Sequence, residues 1–287
     1  MISRALDSTE LPNDSIQLVT TRTAIDPLLA LDNHIDLVIP RGSNELVRYI
    51  KDHTKIPVMG HADGLCSMYI CSDVDLFGAM RLVLDAKLGY PAACNSVETL
   101  LVDEDALSTI LPPIAEALLK EGVSLRCDEV SRLVLTLAMD NHQATLLQES
   151  SAEDYDTEFL DLTIAIKTVP RCSSPIEALE LAVAHINSHG SHHTDAILTS
   201  SQERAEIFMD AVDSAGVYWN TSTRMADGMR YGFGTEVGIS TGKIHARGPV
   251  GLEGLTTYKY KVRGQMQAAG DYGKTGRTFK HKVLSVD

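Results

Sequence analysis

Cys94 stands in Tyr90-Pro91-Ala92-Ala93-Cys94-Asn95-Ser96, between a helical stretch and an apolar run. Small neighbours would let a substrate carbonyl reach the sulfur. Such a thiol acts as a nucleophile when local N–H groups or a cation favour the thiolate. The plain alternative is a small side chain buried in a tight connection. Further upstream, His34–Ile39 runs into Pro40-Arg41-Gly42-Ser43-Asn44. A strand entering a Gly turn at a helix N-terminus leaves backbone N–H groups that suit phosphate. Arg41 adds a fixed positive charge. The competing reading is a Ser cap and nothing more. His185, His189, His192 and His193 crowd into Ala184–Thr194, and a His-rich tract points to a metal. No carboxylate or Cys stands there in a recognisable ligand spacing, so helix capping and turn hydrogen bonds describe them better. Ser222, Arg224, Lys243, His245 and Arg247 belong to a long polar stretch, 220–251. Long loops carry function, and these groups could hold a carboxylate or phosphate by charge-assisted hydrogen bonds. As loop cations they could equally be solvated.

These residues need a frame. Short runs rich in Val, Ile and Thr alternate with helical periods along the chain. The pattern predicts strands at Ser15–Thr20, His34–Ile39, Ile56–Met59, Ser67–Cys71, Val97–Val102, Phe159–Val169, Ala196–Thr199 and Val217–Trp219. It predicts helices at Ala24–Leu31, Asn44–His53, Asp75–Leu88, Asp128–Leu137 and Ser174–Ser188, with another helical stretch interrupted by Pro112-Pro113. Ser200 and Glu203 read as a capping box opening a helix to Val212. Asp140–Asp156 reads as a surface loop, and 220–251 as too polar for core. Leu255–Val262 alternates like an edge strand, and the basic, Gly-rich tail from Arg263 reads as mobile. Alternating strand and helix make the class α/β with mostly parallel sheets.

The 287 residues suffice for one large domain or two ordinary ones. Lys plus Arg is 25 against 39 Asp plus Glu, a net charge of −14. That argues against a nucleic-acid or anionic-membrane surface, although a few local cations would still hold a small anion. With 44% hydrophobic and 22% charged residues the balance is that of a soluble globular chain. No apolar run approaches membrane-spanning length, and the N-terminus has no secretory apolar segment. Five cysteines, an odd number without C-x-x-C spacing, argue against a disulfide framework or a zinc finger and for a reducing compartment.

Several segments together carry a resemblance: Ile39–Ser43, Pro57–Gly64, Tyr90–Leu101, Ala184–Ile197 and Gly234–Leu255. They resemble γ-glutamyl phosphate reductase, the glutamate-5-semialdehyde dehydrogenase of proline synthesis, within the aldehyde dehydrogenase superfamily. Ala269–Gly273 and Phe279–Lys282 look like the fungal form. The resemblance implies an aldehyde dehydrogenase-like α/β fold. Residues 1–63 would be a remnant of a Rossmann-type NADP-binding domain, 64–251 the catalytic domain, and 252–287 an oligomerisation strand with a mobile tail. It implies a cytoplasmic enzyme that reduces L-glutamyl 5-phosphate to L-glutamate 5-semialdehyde with NADPH, through a thioester on Cys94. The Cys94 backbone N–H would meet the oxyanion. Arg41, Gly42, Ser43 and Glu158 would bind NADPH/NADP. His61 stands where aldehyde-oxidising relatives carry a general-base Glu, and loss of that base suits an enzyme that keeps water off its thioester. Ser222, Arg224 and Arg247 would hold the substrate's carboxylate and phosphate, and no metal is implied.

The same resemblance implies a homo-oligomer paired through Leu255–Val262 and an association with glutamate 5-kinase. It matches only the later part of the family. The first part of the nucleotide domain has no counterpart, so an unpaired sheet edge and weak NADPH binding are expected. Two other readings compete. One is a catalytically dead copy serving as an interaction module. The other is an aldehyde dehydrogenase-like enzyme with a different substrate, against which the Cys94 and His245-Ala-Arg-Gly-Pro249 motifs argue.

Overall fold

Side chains alternate across a strand, so a strand that is buried at every position must be covered on both faces. The runs Cys66–Ile70 and Val97–Asp103 are buried at every residue. A computed structural model, described for residues 2–273 and 276–281, shows how they are covered. Residues Met1–Leu255 form one compact unit and Thr256–Asp287 a second.

The first unit opens with helices α1 (Ile2–Leu6), α2 (Ile25–Leu29) and α3 (Asn44–His53). Strand and helix then alternate: β1 (Cys66–Ile70), α4 (Leu76–Leu88), β2 (Val97–Asp103), α5 (Leu111–Lys120), β3 (Ser124–Cys127) and α6 (Glu129–Ala138). Next come α7 (Asn141–Ala144), β4 (Gln148–Glu149), β5 (Thr163–Val169), α8 (Pro175–His189), β6 (Thr194–Leu198), α9 (Gln202–Ala211) and β7 (Gly216–Trp219). These strands pair in parallel in the order β4-β3-β5-β2-β1-β6-β7. Met68, Ile70, Leu100 and Val102 point to one face and pack with Leu111, Ile114 and Leu118 of α5. Tyr69, Cys71 and Leu101 point to the other and pack with Leu179, Val183 and Ile186 of α8 and Phe208 of α9. Polar side chains fix the helix starts: Asp75 accepts from Gly78 N–H, Asp128 from Ser131 N–H and Ser174 from Glu177 N–H.

Several expectations need correction. Ser15–Thr20 belongs to no strand, and Leu18 is 87% exposed, so its apolar alternation covers no surface. His34–Ile39 and Ile56–Met59 reduce to one parallel bridge, Val38 with Val58. Pro112 and Pro113 open α5 rather than interrupt it, because the first helical turn needs no donor from them. The cap of α9 is Ser201, which accepts from Arg204 N–H, and not Ser200. The expected loop 140–156 contains α7 and β4. The stretch 220–251 is not all surface: β8 (Gly238–Ser240) and β9 (Gly248–Val250) form a buried antiparallel pair. The expected edge strand Leu255–Val262 does not form; Leu255 closes a 3-10 turn and residues 256–262 belong to no strand. In the second unit the Tyr272 and Phe279 rings stack with centroids 4.7 Å apart. Lys282 and the rest of the tail beyond His281 lie outside the described residues. Among the described residues, no helix is long and apolar enough to cross a membrane.

One buried ion pair ties α4 to β2. Lys87 Nζ donates to Glu98 Oε2 at 2.7 Å, and both side chains are at most 1% exposed. Burial pushes Glu98 up to about 7 and Lys87 down from its usual range, so desolvation outweighs their attraction. Lys87→Met alone should cost about 3–5 kcal/mol by leaving a buried carboxylate without its partner. Lys87→Met with Glu98→Leu should be more stable than Lys87→Met alone, measured by urea unfolding. A double variant less stable than that single one would show that the pair is a net stabiliser.

Candidate active site

Parallel strands begin on one edge of the sheet, and there three loop segments meet. Cys66 opens β1, Cys94–Ser96 precede β2, and His193 precedes β6. Strands β2, β1 and β6 are adjacent, so these residues converge although they are far apart in sequence. The Cys94 loop is held from below. Cys66 Sγ–H donates to the Cys94 carbonyl at 3.3 Å. A Cβ on Gly64 would lie 2.2 Å from the Cys94 carbonyl oxygen and 2.5 Å from its Cα. Only glycine permits that approach. Asn95 ties the far side: its Nδ2 donates to the Ala226 carbonyl at 2.8 Å, and its Oδ1 accepts from Arg224 Nη1.

Cys94 is half-buried and opens into a cleft of about 230 Å³ whose wall includes Arg41, Gly42, His61, Glu158 and Leu160. Burial, with Glu158 and Glu236 nearby, pushes its thiol up to about 11. Arg224 and the Cys94 backbone N–H pull the other way. One donor atom each of His61, Cys94 and His193 lies within 4.8 Å of the others. His61 donates through Nδ1 to the Ile239 carbonyl at 2.9 Å, so in the neutral ring Nε2 is the acceptor. The His61 and His193 rings meet edge-on with centroids 4.8 Å apart. His193 is fully buried, and burial holds it down to about 3, hence neutral.

The expected cofactor residues lie around this cleft in different ways. Glu158 accepts from Gly64 N–H at 2.9 Å and from Asn44 Nδ2 at 3.3 Å. Ser43 caps α3, accepting from Leu46 N–H at 3.4 Å. The Arg41 guanidinium donates to the Val237 carbonyl. Gly42 leaves the cleft wall low beside them.

The expected substrate residues are dispersed. Arg224 acts on the Cys94 thiol and is fixed by Asn95. Ser222 is buried and accepts from Arg224 N–H at 3.3 Å. Arg247 is not among the residues lining the Cys94 cleft. It pairs with Asp213 at 2.9 Å, beside Lys243, and borders a separate cleft with Phe233 and Pro249. Sequence reasoning set His193 aside as a capping or turn residue and gave no site role to Cys66, Gly64 or Asn95. Of the four histidines in the tract, only the one immediately before a strand reaches this edge. No spacing within the tract signals it, because the partner residues come from other strands.

No protein-family model matches the chain. A probable γ-glutamyl phosphate reductase of Schizosaccharomyces pombe is 54% identical over 100% of this chain and 62% of its own length. The γ-glutamyl phosphate reductase of Saccharomyces cerevisiae is 48% identical over 99% of this chain and 63% of its own. The crystal structure of γ-glutamyl phosphate reductase from Thermotoga maritima superposes with a TM-score of 0.84 at 36% identity, covering 93% of this chain and 61% of that one. A probable aldehyde dehydrogenase from Listeria monocytogenes shares the fold at 16% identity and TM-score 0.64, over 88% of this chain and 61% of that one. So does the glyceraldehyde-3-phosphate dehydrogenase GapN of Methanocaldococcus jannaschii, solved with NADP, at 16% identity and TM-score 0.55, over 77% of this chain and 54% of that one.

A high thiol pKa makes alkylation strongly pH-dependent. In a Cys172→Ser background, iodoacetamide should modify Cys94 about tenfold faster per pH unit between pH 7 and 10. The buried Cys66, Cys71 and Cys127 should stay unmodified while the chain is folded. A rate that levels off below pH 8 would mean a preformed thiolate. Gly64→Ala should displace the Cys94 backbone, lowering stability by about 1–3 kcal/mol and changing the Cys94 alkylation rate. Unchanged urea unfolding and alkylation would remove the steric argument.

Proposed function

The chain is homologous along its whole length to the γ-glutamyl phosphate reductases and spans about 62% of theirs; from that premise we propose that it takes part in the NADPH-dependent reduction of L-glutamyl 5-phosphate to L-glutamate 5-semialdehyde in proline biosynthesis. The observation that carries this reading is Cys94, held open on a small-walled cleft beside His61 and within the field of Arg224.

In this mechanism Cys94 Sγ bonds to the acyl carbon of the substrate. Its proton passes to His61 Nε2, whose tautomer the Ile239 carbonyl fixes. The carbon–oxygen bond to phosphate breaks, phosphate departs with the electron pair, and a thioester remains on Cys94. The Cys94 backbone N–H meets the oxyanion that develops in the displacement. The covalent step divides one hard displacement into two easier ones.

The cleft also suits a nicotinamide ring. Gly42, Gly60, Ala62 and Ala92 keep its walls low, and Val47 and Leu160 give it apolar surface. Arg41, Gly42, Ser43 and Glu158 would hold the cofactor, NADPH in this reading, which supplies a hydride when bound. Return of the electron pair to Cys94 Sγ then breaks the carbon–sulfur bond and frees the semialdehyde. Arg224 and Ser222 border the Cys94 loop and would meet the substrate's anionic groups. Arg247 would join them only by leaving Asp213.

The same reading divides the chain into a cofactor-domain portion, 1–63, a catalytic portion, 64–251, and a segment with its tail, 252–287, that would form a strand on pairing with a second copy. It places a cytoplasmic homo-oligomer in association with a glutamate 5-kinase. The test is the reverse reaction. The chain, pyrroline-5-carboxylate, NADP⁺ and phosphate should form NADPH only when phosphate is present, and Cys94→Ala should abolish the signal. Arg224→Ala should raise the KM for substrate or phosphate; an unchanged KM removes Arg224 from the substrate site. Turnover that survives Cys94→Ala, or that needs no phosphate, overturns the reading.

A further inference from the structure

The side chains around the Cys94 sulfur have a property that acyl transfer does not use. His61 gives Nδ1–H to the Ile239 carbonyl, the arrangement by which metal-binding imidazoles present Nε2. His193 Nδ1 lies 3.0 Å from Thr194 Oγ1, while its Nε2 is buried and has no hydrogen-bond partner. A buried polar atom without a partner carries a desolvation cost that a ligand would remove. The carboxylates of Glu158 and Glu236 act on the sulfur, and the Arg224 guanidinium opposes them.

We propose that His61, Cys94 and His193 form a binding site for a borderline-soft divalent cation, Zn²⁺ above all, with water in the fourth position. Two imidazoles and a thiolate are the donor set that such an ion prefers over Mg²⁺ or Ca²⁺. Tetrahedral Zn²⁺ needs donors about 3.4–3.6 Å apart, against separations of up to 4.8 Å here. The part-buried side chains of His61 and Cys94 supply that contraction by rotation. The ion binds the Cys94 thiolate, and the thiol proton leaves to solvent, one per ion bound. Binding does not depend on the acyl-transfer reading. Its consequence, reversible masking of the acyl acceptor, rests on that reading.

The test uses the chelator-treated chain and no activity assay. Co²⁺ should bind once per chain with a thiolate-to-cobalt charge-transfer band and tetrahedral d–d bands. Cys94→Ser should remove the charge-transfer band. Competition with a chromophoric chelator should show His61→Ala and His193→Gln each weakening Zn²⁺ by at least about tenfold, with circular dichroism confirming that each variant is folded. Zn²⁺ should suppress alkylation of Cys94 and leave Cys172 reactive. Absence of the charge-transfer band, or Zn²⁺ affinity unchanged in both folded His61→Ala and Cys94→Ser, overturns the site. Failure of the reverse reaction would leave these readouts untouched, so the two claims fall separately.

Discussion

Parallel pairing of β1, β2 and β6 is the constraint on which the site depends. In a parallel sheet every strand enters from the same edge, and neighbours lie about 4.8 Å apart. Pairing of Ser67 with Thr99 and Met68 with Ala196 therefore sets the segments before these strands side by side. Those segments hold Cys94 and His193, and β1 itself begins with Cys66. An antiparallel neighbour would have sent one of them to the opposite edge. The apolar cores on both faces enforce the arrangement, because slipping a strand by one residue would exchange its two faces. Met68 and Ile70 would then face α8 and α9, while Tyr69 would turn toward α5.

Closeness at that edge has an electrostatic cost. The Cys94 loop packs onto Gly64, and the same turn brings Gly64 N–H to Glu158. A carboxylate needed to hold the turn thus sits near the thiol and opposes its ionisation. Arg224 offsets part of this, and its guanidinium is oriented by Asn95, the residue following the thiol. Cys94 accordingly stays protonated beside the neutral imidazole of His193. A base, an electrophilic carbon or a dication can each draw out the thiolate, and proton loss is the step they share.

The buried Lys87–Glu98 pair obeys similar physics deeper in the sheet. Glu98 lies on β2 four residues after Cys94, and its second oxygen accepts from Leu160 N–H at 3.4 Å. Leu160 in turn lines the Cys94 cleft. The pair thus links α4, β2 and the loop carrying Glu158 and Leu160. Desolvation moves both ionisations toward neutrality, so its contribution is the position of that loop more than net stability.

Local chemistry was legible from the residues alone. The helices Asn44–His53, Leu76–Leu88 and Pro175–His189 follow from apolar period and caps, because those signals lie within a few residues of one another. The parallel α/β class and the isolation of Cys94 among small neighbours were equally readable. Strand existence was less so. Ser15–Thr20 and Leu255–Val262 alternate correctly but form no strand, since a strand's hydrogen bonds come from a neighbour that its own residues do not encode. The assembly around the sulfur was decided by tertiary structure. Gly64, His61, Glu158 and His193 reach Cys94 through strand register and loop packing around the adjacent strands β5, β2, β1 and β6. Arg247, equally basic in sequence, is drawn away by Asp213. Residue types determine what a side chain can do; the register of the parallel strands determines which side chains meet, because contact depends on distance in space and not on separation along the chain.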